Sequence, residues 1–414
     1  MGCCGSSQKE EGEEYDAIVG KNPPHSTPAG SAPQELERVN QYAVVKEIGH
    51  GSFGKVLMVR TQDSAGKVNG TFAMKKMDMT FLRKKMRGSG FGGGGGGGAD
   101  EMVKREIATM KKLHHPNIAR LVDVVDDEES RTIYVVSEFL LGGSLEEYRA
   151  AKPGGVLPLG ELRVLLRQVA CALNYLHTVV QIAHRDIKPE NIMLNADNVA
   201  KLIDFGTAEV FTTNDDGSAM DLTSKTAGTP AFYAPEMCSI DIDEYEMLPT
   251  DMWALGVTVY QMAYGALPFK ETGLMQLMEE IEQAQIDFPA FPEASKEDSQ
   301  AENGQAAEDE DPVALLELLR GMLTKDPTAR TDVGALMKDE WVTKRNSLRF
   351  SSQELSIGAT VEITPSDVEN SVLPRLDNIV SAAHLIVQLQ RLRGQAVARI
   401  QERQRREDAL AERP

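Results

Sequence analysis

His184-Arg185-Asp186-Ile187-Lys188-Pro189-Glu190-Asn191 is followed, thirteen residues after Asn191, by Asp204-Phe205-Gly206. Carboxylates, an ammonium and an amide thus crowd one short stretch. Upstream, Gly49-His50-Gly51-Ser52-Phe53-Gly54-Lys55-Val56 has the pattern G-x-G-x-x-G-x-V. Glycines let backbone N–H groups approach phosphates closely. Alone, the pattern reads equally well as a tight hairpin. It lies between two strand-like runs, Tyr42 to Ile48 and Lys55 to Arg60, rather than ahead of a helix, which disfavours a dinucleotide-binding fold. Twenty-one residues past Gly54, Phe72-Ala73-Met74-Lys75 ends an apolar run on a lysine. Burying an ammonium is costly unless it is paired. The partner on offer is Glu106, within the helix-like run Met102 to Leu113; either residue alone would be an ordinary surface charge. Downstream stands Ala234-Pro235-Glu236.

The 414 residues suffice for one large domain or two ordinary ones, and 41% of them are hydrophobic, enough for a sizeable core. The balance is acidic: 44 basic against 63 acidic residues gives −19. Nucleic-acid binding needs concentrated Lys and Arg, so that class is disfavoured and no nucleic-acid partner is expected. No apolar run reaches the length of about 18 residues that a membrane-spanning helix needs. Cys3, Cys4, Cys171 and Cys238 are too few and too scattered for a disulfide scaffold, so a reducing, cytoplasmic compartment is the default.

Residues 1–40 are rich in Gly, Ser, Pro and Glu and read as a flexible tail. A patterned domain is expected over 41–345, β-rich first and helical from about 159. Two inserts interrupt it. Residues 86–99 contain seven successive glycines, and residues 293–312 hold eight carboxylates and one Lys. Residues 346–414 form a C-terminal appendage that turns basic.

The five blocks together, in this order and spacing, resemble the signature set of eukaryotic protein kinases over residues 42–345. The resemblance implies an α+β, bilobal protein kinase fold, with a small β-rich N-lobe carrying one main helix and a larger, mostly helical C-lobe. It implies ATP and Mg²⁺ as cofactors. Ile48, Gly49, Gly51, Gly54 and Val56 would cover the nucleotide. Lys75 would hold its α- and β-phosphates and pair with Glu106. Backbone groups of Glu138 and Leu140 would bond the adenine, and Asn191 and Asp204 would hold the metal. Asp186 would accept the proton of the attacking hydroxyl. No covalent nucleophile is needed, because such an enzyme positions two reactants and neutralises spreading charge.

Lys188 and Gly228-Thr229-Pro230 resemble the serine/threonine class, with Lys188 near the transferred phosphate and Thr229 supporting Asp186. Asp251, Trp253 and Arg330 match scaffolding positions, with Arg330 paired to Glu236. Many kinases carry a phosphothreonine four residues before the threonine of Gly-Thr-Pro, facing the Arg of His-Arg-Asp. Here that position is Lys225, which cannot neutralise Arg185. Basal competence without phosphorylation there is expected, with Thr223, Ser224 and Thr226 as neighbouring acceptors.

Leu113 to Asp127 and Gly228 to Glu236 look like the calcium/calmodulin-dependent protein kinase kinases, as does an insertion between the Lys75 strand and the Glu106 helix. Val361 to Val372 resembles the segment before that family's autoinhibitory and calmodulin-binding region. The resemblance implies protein substrates that are themselves kinases, phosphorylated on activation-loop threonines, and control by Ca²⁺/calmodulin. Two departures bear on substrate choice. The insertion is nearly all Gly where the family has Arg and Pro. Ser144 and Gln261 stand where kinases that prefer basic substrates carry Glu, which leaves an Arg-rich substrate fewer ionic partners unless other acids substitute. The residue opening the hinge, Ser137, is small.

Residues 375–406 hold seven Arg against Asp377 and Glu402, and Leu376, Val380, Leu385 and Leu389 fall at relative positions 1, 5, 10 and 14, as apolar anchors of a helix. Such a basic amphipathic helix suits calmodulin's groove, a membrane surface or the kinase lobe itself; the family resemblance favours calmodulin. Met1-Gly2-Cys3-Cys4-Gly5-Ser6 fits the N-myristoylation pattern. One myristoyl chain binds membranes with K only on the order of 10⁴ M⁻¹. Glu10, Glu11, Glu13 and Glu14 rule out a polybasic second signal, so palmitate on Cys3 or Cys4 is the expected partner of Gly2 acylation. The expected location is the cytoplasmic face of a membrane. Two alternatives remain: a calcium-independent kinase with other protein targets, and a membrane-tethered pseudokinase scaffold that only binds nucleotide.

Overall fold

The structure is a computed structural model. It describes residues 37–51, 54–63, 66–88, 99–127, 129–213, 219–223, 227–239, 241–292 and 311–351. The glycine run, the acidic stretch 293–310, Lys225 with its neighbours, the acylation positions Gly2, Cys3 and Cys4, and the basic segment 375–406 lie outside the described residues.

Six strands form one antiparallel sheet: β1 (Arg38–Val39), β2 (Tyr42–Gly51), β3 (Gly54–Gln62), β4 (Val68–Asp78), β5 (Leu121–Asp127) and β6 (Thr132–Glu138). Their spatial order is β1-β2-β3-β4-β6-β5. Side chains alternate between the faces of a strand. On β6, Tyr134 and Val136 pack with Tyr42, Val59 and Met74 on one face. Ile133 and Val135 pack on the other with Met77, Val103 and Ile107. Lys75 lies opposite Val56 on β3 and Val135 on β6, so it shares the second face. That face is covered by the helix bearing Glu106.

Two helices follow β4: α1 (Met79–Gly88) and α2 (Ala99–Lys112). The sequence predicts only the second. Asp78 starts α1 by accepting the amides of Thr80 (2.8 Å) and Phe81 (3.0 Å), and Leu82 is buried beside Met77 and Met79. Arg83 Nε then reaches Asp100 Oδ1 at 2.8 Å, joining the two helices. The insert expected at 86–99 is therefore narrower, because its edges are helical.

The larger lobe is built on α4 (Leu159–Asn174) and α6 (Met247–Tyr264), preceded by the strand β7 (Gly143–Ser144) and the short helix α3 (Leu145–Ala150). Helix α6 is buried on nearly every side, as an apolar helix without a polar stripe must be. Between α4 and α6 run β8 (Ile182–Ala183), β9 (Ile192–Leu194), β10 (Ala200–Leu202), β11 (Glu209–Val210), β12 (Thr212–Thr213), β13 (Ala219–Met220), β14 (Leu222–Thr223), the helix α5 (Pro235–Cys238) and β15 (Tyr245–Glu246). Helices α7 (Leu274–Gln283), α8 (Pro312–Met322) and α9 (Val333–Leu336) complete the lobe.

Three expected boundaries move. Arg38 and Val39 pair with Ala43 and Tyr42, so the tail does not extend to residue 40. Asp311 caps α8 through the Ala314 amide (3.0 Å) and Pro312 opens that helix, so neither belongs to the acidic insert. Residues 346–351 still pack on the domain. Arg167 donates to the carbonyl of Leu348 at 2.6 Å, and its guanidinium lies 4.0 Å from the Phe350 ring centroid. Among the described residues, no helix is long and apolar enough to cross a membrane.

Candidate active site

The loop 184–191 hangs between β8 and the β9–β10 hairpin, and its backbone is fixed from beneath by a fully buried carboxylate. Asp251 accepts the amides of His184 (2.8 Å) and Arg185 (2.7 Å) and a hydrogen bond involving His177 Nε2 (2.8 Å). Burial alone would raise its pKa. The His177 contact and the proximity of His184 outweigh burial and hold it low. His177 reaches it because the end of α4 widens into a looser turn over Tyr175–Val179. His184 in turn packs on Phe205 (centroids 5.1 Å apart), and its Nε2 lies 3.1 Å from the Ile203 carbonyl. Arg185 and Asp204 both have positive φ, 65° and 61°, a conformation found where surrounding contacts over-determine the backbone.

Three donors converge on Asp186. Thr229 donates its hydroxyl to Oδ1 at 2.7 Å, while Lys188 Nζ (2.7 Å) and Asn191 Nδ2 (2.8 Å) donate to Oδ2. Lys188 also donates to the Thr229 hydroxyl at 2.6 Å. Thr229 can sit there because residue 228 is glycine. Its φ is +102°, and a Cβ would meet the Arg185 carbonyl oxygen at 2.4 Å.

Facing this loop, Lys75 Nζ lies 3.0 Å from Glu106 Oε1 and 2.8 Å from Asp204 Oδ1. Burial works against the ammonium, but the two carboxylates prevail and raise its pKa. Burial raises Glu106, whose Oε2 has no hydrogen-bond partner among the described residues. Asp204 stays low, because Lys75 overcomes its burial. The three groups thus form a charged bridge between sheet, helix and the larger lobe.

A cleft of about 590 Å³ separates the two sets. Ile48, Val56, Ala73, Val135, Met193 and Ile203 give it apolar walls, suited to a flat heterocycle. Glu138 and Leu140 lie at its back edge. The Glu138 amide already donates to the Arg120 carbonyl (3.1 Å), and its carboxylate binds Lys201 (3.0 Å). Its amide and carboxylate are thus both spent within the protein. Of the predicted site residues, Ile48, Gly49, Val56, Lys75, Glu106, Glu138, Leu140, Lys188, Asn191 and Asp204 line this cleft. Asp186 lines a small adjoining cavity with Thr229. Gly51 and Gly54 pair at the tip of the β2–β3 hairpin. A Cβ on Gly54 would fall 2.0 Å from the Lys76 carbonyl oxygen, so that glycine is dictated by packing. Sequence reasoning missed Ala73, Met193 and Ile203. Two of these were recoverable: Ala73 shares the face of Lys75, and Ile203 adjoins Asp204.

Asn191 spends its amide nitrogen on the carboxylate and carbonyl of Asp186, both at 2.8 Å. Its Oδ1 and the Asp204 carboxylate are hard oxygen donors on one cleft, which fits Mg²⁺ shared with a ligand's phosphates. Among the described residues there is no cluster of three or more His, Cys, Asp or Glu side chains that would hold a metal alone.

Residues 42–342 match the family model described as the protein kinase domain. The chain belongs to the protein kinase family. Curated relatives include the serine/threonine-protein kinase ssp1 of Schizosaccharomyces pombe, 32% identical over 86% of this chain and 49% of that protein. A calcium/calmodulin-dependent protein kinase kinase of Caenorhabditis elegans is 32% identical over 83% of this chain and 60% of its own length. SNF1-activating kinase 1 of Saccharomyces cerevisiae is 34% identical over 74% of this chain and 28% of its own length. The chain spans about half the length of the first two relatives, and less of the third.

Within the kinase domain, Arg330 binds Glu236 through two parallel hydrogen bonds (2.6 and 2.8 Å) and stacks over Trp253. Ser144 is the N-cap of α3, and its amide draws in the Glu147 carboxylate at 2.8 Å. Gln261 donates to Glu146 at 3.1 Å. Glu147 and Glu190 both line the cleft.

Proposed function

We propose that this protein is an ATP- and Mg²⁺-dependent serine/threonine kinase whose protein substrates are themselves kinases. The observation that carries the reading is the convergence of Thr229, Lys188 and Asn191 on Asp186, across the cleft from the Lys75–Glu106–Asp204 bridge. Asp186 would accept the proton of a substrate hydroxyl. Lys188 would meet the charge of the transferred phosphoryl group, and Lys75 would hold the outgoing phosphates in line. Asp204 and Asn191 would hold Mg²⁺, which neutralises phosphate charge when bound. One of the similar proteins is named as a kinase of a protein kinase, which supports the substrate class, and another as a kinase that activates SNF1. The test is transfer of the γ-phosphate of ATP, with Mg²⁺, to the activation loop of catalytically dead kinases. Ser/Thr phosphate on the loop threonine is expected; a folded, nucleotide-binding protein that never transfers phosphate would be a pseudokinase instead.

Regulation is proposed to come from the segment after the domain. In this reading residues 346–390 occlude the substrate cleft, and Ca²⁺–calmodulin, drawn to 375–406, favours the state in which they are lifted away. Charge and helix periodicity support it, together with the similarity to the worm protein. A 372–400 peptide should bind Ca²⁺–calmodulin at micromolar concentration or better. Equal binding in EGTA, or none, removes calcium from the account.

Acylation at Gly2, reinforced at Cys3 or Cys4, is proposed to tether the kinase to a cytoplasmic membrane face. Gly2→Ala should move it from the membrane to the soluble fraction in its own cell. A wild-type protein already wholly soluble there ends the proposal.

A further inference from the structure

Arg185 is the charge that the sequence leaves without an anion, and the structure supplies one from an unexpected place. Its side chain is 4% exposed, and its Nη1 donates to the carboxylate of Glu209. Glu209 is the first residue of β11, and β11 pairs with β8 so that Glu209 faces Ala183, next to His184. A guanidinium buried this deeply is costly unless an anion meets it. The backbone around Arg185 is equally committed. Its amide binds Asp251, and its carbonyl oxygen lies under Gly228, one residue before the Thr229 that holds Asp186.

The described part of the segment that follows pairs through its main chain, first with itself and then with β15. Thr212 and Thr213 face Met220 and Ala219, and Leu222 and Thr223 face Glu246 and Tyr245. The Asp221 side chain accepts the Leu248 amide (2.8 Å), and its carbonyl accepts the Met247 amide (3.1 Å), which ties the segment to the start of α6. Thr223 is buried, so the described fold hides it from a modifying enzyme.

The geometry points to Glu209 as a built-in substitute for an activating phosphate. It neutralises Arg185 from within the chain and thereby positions Asp186, so the catalytic loop is assembled without phosphorylation of the segment 207–228. Glu209 touches no substrate in this scheme; it acts through Arg185. The inference rests on the kinase reading and adds to it a regulatory consequence.

The experiment uses the full chain, treated with phosphatase and verified by mass spectrometry to carry no phosphate between 207 and 228. This protein should retain at least about half of the untreated kcat. Glu209→Gln, prepared in the same way, should lose about 10- to 100-fold in kcat, with KM for ATP changed less than about threefold. Glu209→Asp should recover part of the loss. Hydrogen exchange supplies an independent readout: Glu209→Gln should accelerate exchange of the amides at 182–186 and 209–213. Loss of activity on dephosphorylation would overturn the inference. So would a Glu209→Gln protein whose kcat stays within threefold of wild type, even if it melts earlier. If wild type transferred no phosphate at all, the kinase reading would fail by itself. The exchange data would still decide whether Glu209 orders the loop.

Discussion

Asp186→Asn is expected to leave a folded protein that binds nucleotide and transfers phosphate about 10³-fold more slowly, the scale of a lost general base. The geometry says why folding should survive. Asp186 Oδ2 receives two obligate donors, Lys188 Nζ and Asn191 Nδ2, whereas among the described residues Oδ1 is bonded by the hydroxyl of Thr229. A hydroxyl accepts as readily as it donates. The new amide nitrogen can therefore take the Oδ1 position and donate to Thr229, while its oxygen keeps the two obligate donors. What is lost is the carboxylate's capacity to take a proton. Single-turnover transfer, together with a nucleotide-dependent thermal shift, separates the two effects. Transfer within tenfold of wild type in the folded variant would remove Asp186 from the role of base.

Lys75→Met should be nearly as damaging, with transfer reduced by about 10²- to 10³-fold, the usual cost of removing one strong electrostatic contact from a reacting centre. The ammonium is shared by Glu106 and Asp204. Its loss leaves the buried carboxylate of Glu106 and the half-buried one of Asp204 facing a thioether. Glu106 is already shifted towards its neutral form by burial, so it should take up a proton rather than unfold the helix. Glu106→Gln should be milder, because Asp204 still holds Lys75. The order of kcat is expected to be wild type, then Glu106→Gln, then Lys75→Met. Equal rates for the two variants would mean that Glu106, and not the cation, sets the position of the phosphates.

The chemistry was legible in the sequence because much of it is local. Asp186, Lys188 and Asn191 fall within one loop, and Asp204 follows after one hairpin. Lys75 with Glu106 was legible because an apolar strand ending in a lysine demands a partner. What escaped was decided by long-range register. Glu209 meets Arg185 because two-residue strands align β11 with β8, and strands so short carry no alternation to read. Asp251 was read as scaffolding, yet its side chain fixes the amides of the loop it supports, a contact spanning 67 positions. The domain edges were misplaced for a similar reason. Residues 346–351 are polar enough to resemble a linker, and their attachment runs through one backbone carbonyl, that of Leu348, and one ring, that of Phe350, both held by Arg167, 181 positions before Leu348. Helix α1 was missed because its Arg and Lys residues resemble an insertion, while only two buried side chains, Met79 and Leu82, secure it among its described residues.

The grip of Arg167 on Leu348 and Phe350 gives the remainder of the chain a fixed point of departure. Any later segment that binds the domain would do so as a leashed ligand rather than a free one. For a short leash, the local concentration of such a ligand is in the millimolar range, falling as the leash lengthens. A contact too feeble to detect with a separate peptide can then be substantially occupied in the intact molecule. Displacing it requires only a competitor that outruns that local concentration, so a modest affinity for the leashed segment suffices to switch the occupancy.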